Sequence, residues 1–269
     1  MAESRYVLEH ALPGRLVSIT ANGCSRRLRA GGHRGAICGY DAGMTRHTRA
    51  SVAKCLDHAV LKPTATDQDL AEAADMCRTR GVGCLCVRSV DVADASRLLA
   101  GSNVAVASVI GFPHGGHAPP VKAAESRLAI DHGARELDMV MQIGAFLSGR
   151  HRDVRDDIAA VVAVARPHGV LVKVILETCY LSPEQVLMAC RLAEEAGADM
   201  VKTSTGFGTA GATPEAVETM LAAVGDRLGV KASGGIRTWE ACVRYLDMGC
   251  TRIGVGAAAQ ILDEGPRVL

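Results

Sequence analysis

An α/β fold built as a closed TIM (β/α)8 barrel is predicted from three observations. From about residue 53, short β-like runs alternate with helical segments eight times. Several of these runs are nearly continuous apolar residues, as expected for parallel strands buried on both faces. The chain has 269 residues, and such a barrel fills roughly 250 as a single domain. The competing architecture is a doubly wound open sheet. It needs fewer strands and a Gly-x-Gly-x-x-Gly turn after the first, and no such turn follows Asp57. The barrel domain is therefore expected over residues 51–269.

In chain order, the predicted strands are Lys54–His58, Cys84–Val87, Val104–Ile110, Glu136–Met141, Val170–Glu177, Met200–Thr203, Val230–Ser233 and Arg252–Val255. The segments between them carry helical periodicity. Val154, Ile158, Val161 and Val162 share one face, as do Val217, Met220, Leu221 and Val224. Ser182-Pro183-Glu184 and Thr213-Pro214-Glu215 each supply an N-cap, a proline at the first helical position and an early acid. Thr66, followed by Asp67 and Asp69, marks another start. Gly81, Gly133, Gly197 and Gly249 follow helical runs and read as C-terminal caps.

Composition narrows the function classes. Hydrophobic residues make up 48% and aromatic residues 3% of the chain, so Ala, Val, Leu and Ile must build the core. The formal net charge of +1 gives no global field to attract nucleic acid or an anionic membrane, and neither is an expected partner. No apolar stretch reaches the roughly 18 residues that a membrane span requires. There are ten cysteines, several of them inside apolar runs, where a free thiol acts as a small hydrophobe. Cys84 and Cys86 are two apart and lack Cys-x-x-Cys spacing. The pattern reads as a reduced, cytoplasmic protein. His114-Gly115-Gly116-His117 has no further ligands in its flanks and reads as a loop at the barrel mouth; no metal is expected. Residues 1–50 are Arg-rich, contain no lysine and hold only the acids Glu3, Glu9 and Asp41. They are expected to form a separate extension, disordered or a leader. The same composition fits an organelle transit peptide, and Met44 offers an alternative start.

In a barrel, chemistry belongs at the carboxyl ends of the strands. Lys202 lies in Met200-Val201-Lys202-Thr203, a strand too apolar for its side chain to reach water easily. Desolvation disfavours the ammonium, and a neutral amine can attack a carbonyl. A purely structural lysine paired with a buried carboxylate fits the residue alone equally well. Lys231 lies on the next strand, about 4.8 Å away, where a second ammonium would lower the pKa of at least one of the two. An independent phosphate-binding lysine is compatible with the same position. Asp138 could move protons directly or through water, or only orient a lysine. Glu136 shares its face by the two-residue period. Asp57 and Lys173 are open to the same counter-ion reading. Thr205-Gly206-Phe207-Gly208, Ser233-Gly234-Gly235 and Gly254-Val255-Gly256 are Gly-rich turns on the last three strands, and their N–H groups suit a phosphate.

At these residues the sequence resembles the deoxyribose-phosphate aldolases, from about Val52 to Val255. Leu56-Asp57-His58-Ala59-Val60-Leu61-Lys62-Pro63, Val109-Ile110-Gly111-Phe112-Pro113, Glu136-Leu137-Asp138-Met139-Val140 and Lys173-Val174-Ile175-Leu176-Glu177-Thr178 match family strand motifs in order. The most specific pieces are Val201–Gly208 and Val230–Thr238. The resemblance implies a Schiff-base role for Lys202, a tuning and proton-transfer role for Lys231 and a proton-relay role for Asp138. It places Asp57 and Cys86 in the active-site surroundings and Gly206, Gly234 and Gly235 in phosphate-binding turns. Lys173, Thr205, Gly254 and Gly256 complete the expected substrate-contacting set.

The implied reaction is reversible cleavage of 2-deoxy-D-ribose 5-phosphate to D-glyceraldehyde 3-phosphate and acetaldehyde, with no metal or organic cofactor. The expected partners are the sugar phosphate and acetaldehyde, and no surface residue decides whether the chain forms a homo-oligomer. Three departures from the family pattern stand out. Ala59 replaces a usual Thr, Gly256-Ala257 replaces a usual Ser-Ser pair, and the tail ending at Leu269 carries no tyrosine. The first two motivate a rival reading, a related Schiff-base aldolase for a non-phosphorylated or larger aldehyde. A barrel that senses sugar phosphate without turnover is the rival from another class, and Lys202, Lys231 and Asp138 together argue against it.

Overall fold

The computed structural model describes residues 47–266. Most of the expected N-terminal extension, residues 1–46, lies outside the described residues. The first element is helix α1, Arg49–Cys55. Thr48 caps it in a reciprocal pair with Ser51, satisfying two donors that a helix start leaves free. Arg49 donates from Nε to the carbonyl of Gly265 at 2.9 Å and from Nη2 to that of Asp263 at 2.8 Å. Arg49, assigned from sequence to the extension, is thus bonded to the last turn of the helix Ala258–Glu264 and to the residue that follows it.

Eight strands follow: β1 Leu56–Val60, β2 Cys84–Val87, β3 Ala105–Ile110, β4 Glu136–Val140, β5 Leu171–Ile175, β6 Met200–Lys202, β7 Gly229–Ser233 and β8 Arg252–Val255. Each pairs in parallel with the next, and β8 closes onto β1. The fold is thus the TIM (β/α)8 barrel expected from the sequence. Its helices are α2 Asp67–Arg80, α3 Val92–Leu98, α4 Pro119–Asp131, α5 Ile143–Leu147, α6 His151–Ala165, α7 Pro183–Glu195, α8 Pro214–Val224, α9 Trp239–Met248 and α10 Ala258–Glu264.

Local chemistry placed the helices well. Thr66 and Ser182 form capping boxes, and Thr213 caps α8 through the amide of Ala216. Gly81 and Gly249 end α2 and α9 in the left-handed region, where a side chain would be strained. The stripe Val154, Ile158, Val161 and Val162 is buried against the barrel. Six of the eight strands differ from expectation by one or two residues at an edge, most at β1 and β5. Lys54 and Cys55 end α1 instead of starting β1, because the Thr48 cap winds that run into a helix. Strand β5 stops at Ile175, and Glu177 turns into the left-handed region at φ 56°.

The interior of the barrel divides by chemistry. On β2 and β3, Cys84, Cys86, Ala107 and Val109 form a small apolar cluster. On the other strands the inward positions carry charge. The register sets Asp138 beside Lys173 and Lys202 beside Lys231, and the two-residue strand period turns each pair to one face.

Candidate active site

At the floor of the barrel mouth, four cationic side chains meet three carboxylates. Lys202 Nζ and Lys231 Nζ each lie 2.7 Å from Asp138 Oδ2. Lys231 also contacts Asp57 Oδ2. Lys173 Nζ lies 2.8 Å from Asp138 Oδ1, 3.0 Å from Asp57 Oδ2 and in contact with Glu136. Arg252 completes the group, with Nε 2.8 Å from Asp57 Oδ1 and Nη2 2.5 Å from Glu136. Lys202 is 4% exposed and Asp138 fully buried. With every group ionised the cluster carries one excess positive charge in a low-dielectric interior, where an uncompensated charge is costly. Release of one ammonium proton balances it.

The electrostatics select Lys202 for that release. Burial drives its pKa below the ordinary lysine value of 10.5. Asp138 opposes the shift, and the Lys231 ammonium adds to it. Burial acts on Lys231 in the same direction, but Asp138 and Asp57 together outweigh it and hold Lys231 protonated. Lys173 is likewise held charged, because Asp138 and Asp57 overcome its desolvation. Asp138 is opposed by burial, yet Lys173, Lys202 and Lys231 keep its carboxyl well below the usual range. The arrangement is one destabilised ammonium, that of Lys202, beside two secure ammoniums and one secure carboxylate.

Above this floor opens a cavity of about 570 Å³. Lys202, Lys231, Asp57 and Cys86 reach it from below. Thr205, Gly206, Gly234, Gly235, Gly254 and Gly256 form part of its walls. Gly206, Gly234 and Gly235 all have positive φ, the conformation that turns successive N–H groups toward one concavity. At Gly254 a Cβ would come within 2.7 Å of the Ser233 Cβ, so a side chain there would disturb β7. Lys62 and Arg237 also border the cavity and bring positive charge to its rim.

Two expected residues sit lower than the sequence suggested. Lys173, counted among the substrate contacts, is fully buried and surrounded by Asp57, Glu136 and Asp138 beneath the cavity. Its ammonium is committed to those carboxylates, so it acts as a counter-ion instead of touching substrate. Asp138 is also beneath the floor, in contact with both cavity lysines. Cys86 lies 4.0 Å from Asp138. Burial, helped by that carboxylate, pushes its thiol up to about 11, leaving it a neutral wall residue.

Sequence reading missed two participants. Arg252 opens β8 and was given no role from the sequence. Only closure of the barrel brings it to Asp57 and Glu136. Glu177 lay inside a motif already noted, but its contact with Thr205 is set by the turn after β5. Asp57, Cys84 and Glu136 also come within 4.8 Å of one another. Lys173 and Arg252 already lie against both carboxylates. Burial raises the Cys84 thiol well above its ordinary value, aided by Asp57. The protein's own cations fill the place that a metal would take.

The chain is also similar to known proteins. The family model of the DeoC/LacD family aldolases matches residues 51–259. The chain is 48% identical over 218 residues to a deoxyribose-phosphate aldolase of Thermococcus gammatolerans, covering 80% of this chain and 96% of that one. It is 46% identical over 220 residues to that of Thermococcus kodakarensis, covering 81% and 98%. The solved tetrameric deoxyribose phosphate aldolase from Aeropyrum pernix superposes with a TM-score of 0.76 at 33% identity, covering 80% of this chain and 91% of that one.

Proposed function

Since the chain belongs to the DeoC/LacD family of aldolases, we propose that it reversibly cleaves 2-deoxy-D-ribose 5-phosphate to D-glyceraldehyde 3-phosphate and acetaldehyde through a Schiff base on Lys202. The observation that carries the site assignment is a buried lysine at the cavity floor, destabilised as an ammonium and touching a carboxylate shared with a second lysine. The neutral Lys202 amine attacks the C1 aldehyde, and loss of water gives an iminium. The C2–C3 electron pair then flows to the iminium nitrogen to form an enamine. The C3 hydroxyl gives up its proton and becomes the aldehyde of glyceraldehyde 3-phosphate. Protonation of the enamine at C2 and hydrolysis release acetaldehyde and restore the amine. Lys231 and Asp138 move these protons. Asp138 acts through the lysines or an intervening water, since it lies beneath the floor.

Arg237 and Lys62 at the cavity rim, with the Gly206, Gly234 and Gly235 turns, support a phosphorylated substrate despite Gly256-Ala257. The rival reading, a non-phosphorylated aldehyde, rests on that missing pair of hydroxyls and on Ala59. Two further readings are proposals of the same kind. Self-association draws support from the Aeropyrum pernix tetramer, and a reducing, cytoplasmic setting from the free, mostly buried cysteines among the described residues. Among the described residues, no helix is long and apolar enough to cross a membrane. The barrel domain is proposed to begin near residue 48, with the Arg-rich segment before it a separate extension.

The test is chemical trapping. Acetaldehyde with sodium borohydride should fix a two-carbon adduct, and peptide mapping should locate it on Lys202. A full-yield adduct in Lys202→Ala would remove the nucleophile assignment. Comparing kcat/KM for deoxyribose and its 5-phosphate then decides between the substrates, and a strong preference for the phosphate is expected.

A further inference from the structure

Glu177 is a buried carboxylate, 2% exposed, and it forms no ion pair among the described residues. It sits just past β5 at φ 56°, a conformation that costs a non-glycine residue on the order of 1–2 kcal/mol. Such an outlier persists where the surroundings demand it and often serves function. The surroundings here are the ends of β5 and β6. The amide of Leu176 donates to the carbonyl of Lys202, and that of Thr178 to the carbonyl of Thr203, each at 2.9 Å. The left-handed turn between them aims the Glu177 side chain at Thr205, three residues beyond the proposed nucleophile. The Thr205 amide donates to Glu177 Oε1 at 3.2 Å, and the Thr205 hydroxyl donates to Oε2.

This fixes the direction of the Thr205 hydroxyl. A threonine hydroxyl has one proton to donate and two lone pairs. Its proton is directed at Glu177 Oε2. The amide of Phe207 occupies one lone pair at 3.0 Å. The contacts to Glu177 and Phe207 leave one lone pair of the hydroxyl unused, and Thr205 borders the cavity. We propose that Glu177 is a positioning residue that locks Thr205 as a hydrogen-bond acceptor, so that the site selects a substrate with a hydroxyl group at that point over one with hydrogen or a carbonyl there. The inference rests on the aldolase reading above and adds a basis for choosing among aldehydes.

The experiment measures carbon–carbon bond formation from acetaldehyde with two three-carbon acceptors, glyceraldehyde and propanal, in full-length protein. In Glu177→Gln and in Thr205→Val, the ratio of kcat/KM for glyceraldehyde to that for propanal should fall roughly 10- to 100-fold, the worth of a hydrogen bond backed by a charged group. Thr205→Ser should retain the wild-type ratio. The double variant should lose no more than either single one, because both remove the same contact. A parallel fall for both acceptors, as a merely structural role would give, overturns the proposal. So does an unchanged ratio in Thr205→Val, which decides the matter even if Glu177→Gln fails to fold. Borohydride trapping of acetaldehyde on wild-type Lys202 is run alongside. If it succeeds while the ratios do not move, the inference fails alone; if it fails, the aldolase reading falls first.

Discussion

At the scale of single residues, the electrostatics rest on unequal compensation of similarly buried groups. Lys173, Lys202 and Lys231 are all buried amines. Lys173 and Lys231 each have two or more carboxylates close by, whereas Lys202 has only Asp138, which it shares with the other two. That difference, and not burial alone, separates Lys202, the proposed nucleophile, from its neighbours. It follows that Lys173 is chiefly structural. Lys173→Met would leave Asp57, Glu136 and Asp138 short of one cation in a dry interior. Breaking a buried pair in this way typically costs roughly 3–5 kcal/mol, and urea unfolding should show a loss of that order. A stability within 1 kcal/mol or so of wild type would mean that water or rearrangement compensates these carboxylates. The lysines and Asp138 were legible in the sequence because a charge inside an apolar strand has few explanations. Arg252 was not, because an arginine at a strand edge ordinarily faces solvent.

At the scale of elements, short-range chemistry wrote the helices plainly and the strand ends poorly. Thr66, Ser182 and Thr213 announce their helices because a capping side chain acts within three residues. Strand limits depend on the neighbouring strand, which a single sequence does not display. The run Val170–Glu177 therefore read as one strand, although pairing with β6 ends near Ile175 and the chain turns sharply at Glu177. The N-terminal boundary shows the same limit. Arg49 is tied to the rest of the chain through bonds near its far end, at Asp263 and Gly265. The caps can be weighed individually. Ser182→Ala removes the hydroxyl that accepts from the Gln185 amide at the start of α7. It should destabilise the protein by about 1 kcal/mol. An unchanged unfolding midpoint would show that Gln185 and water suffice there.

At the scale of the whole molecule, closing the sheet creates the site. Asp57 on β1, Asp138 on β4, Lys202 on β6 and Arg252 on β8 are far apart in sequence and meet only because β8 pairs with β1. The small cysteines and alanine of β2 and β3 leave the opposite side of the lumen apolar, which keeps the local dielectric low where the amine must lose its proton. The central claim is that Lys202 is the lysine whose ammonium is so destabilised, in part by its neighbour Lys231. The most direct measurement is the pH dependence of borohydride trapping at Lys202 in wild type and in Lys231→Met. Only the neutral amine condenses, so the trapping rate should rise with pH through the Lys202 pKa, with a midpoint below the ordinary lysine value of 10.5. Removing the Lys231 charge should move that midpoint to higher pH. A wild-type midpoint at or above the ordinary value, or a midpoint in Lys231→Met that stays put or falls, would contradict the account.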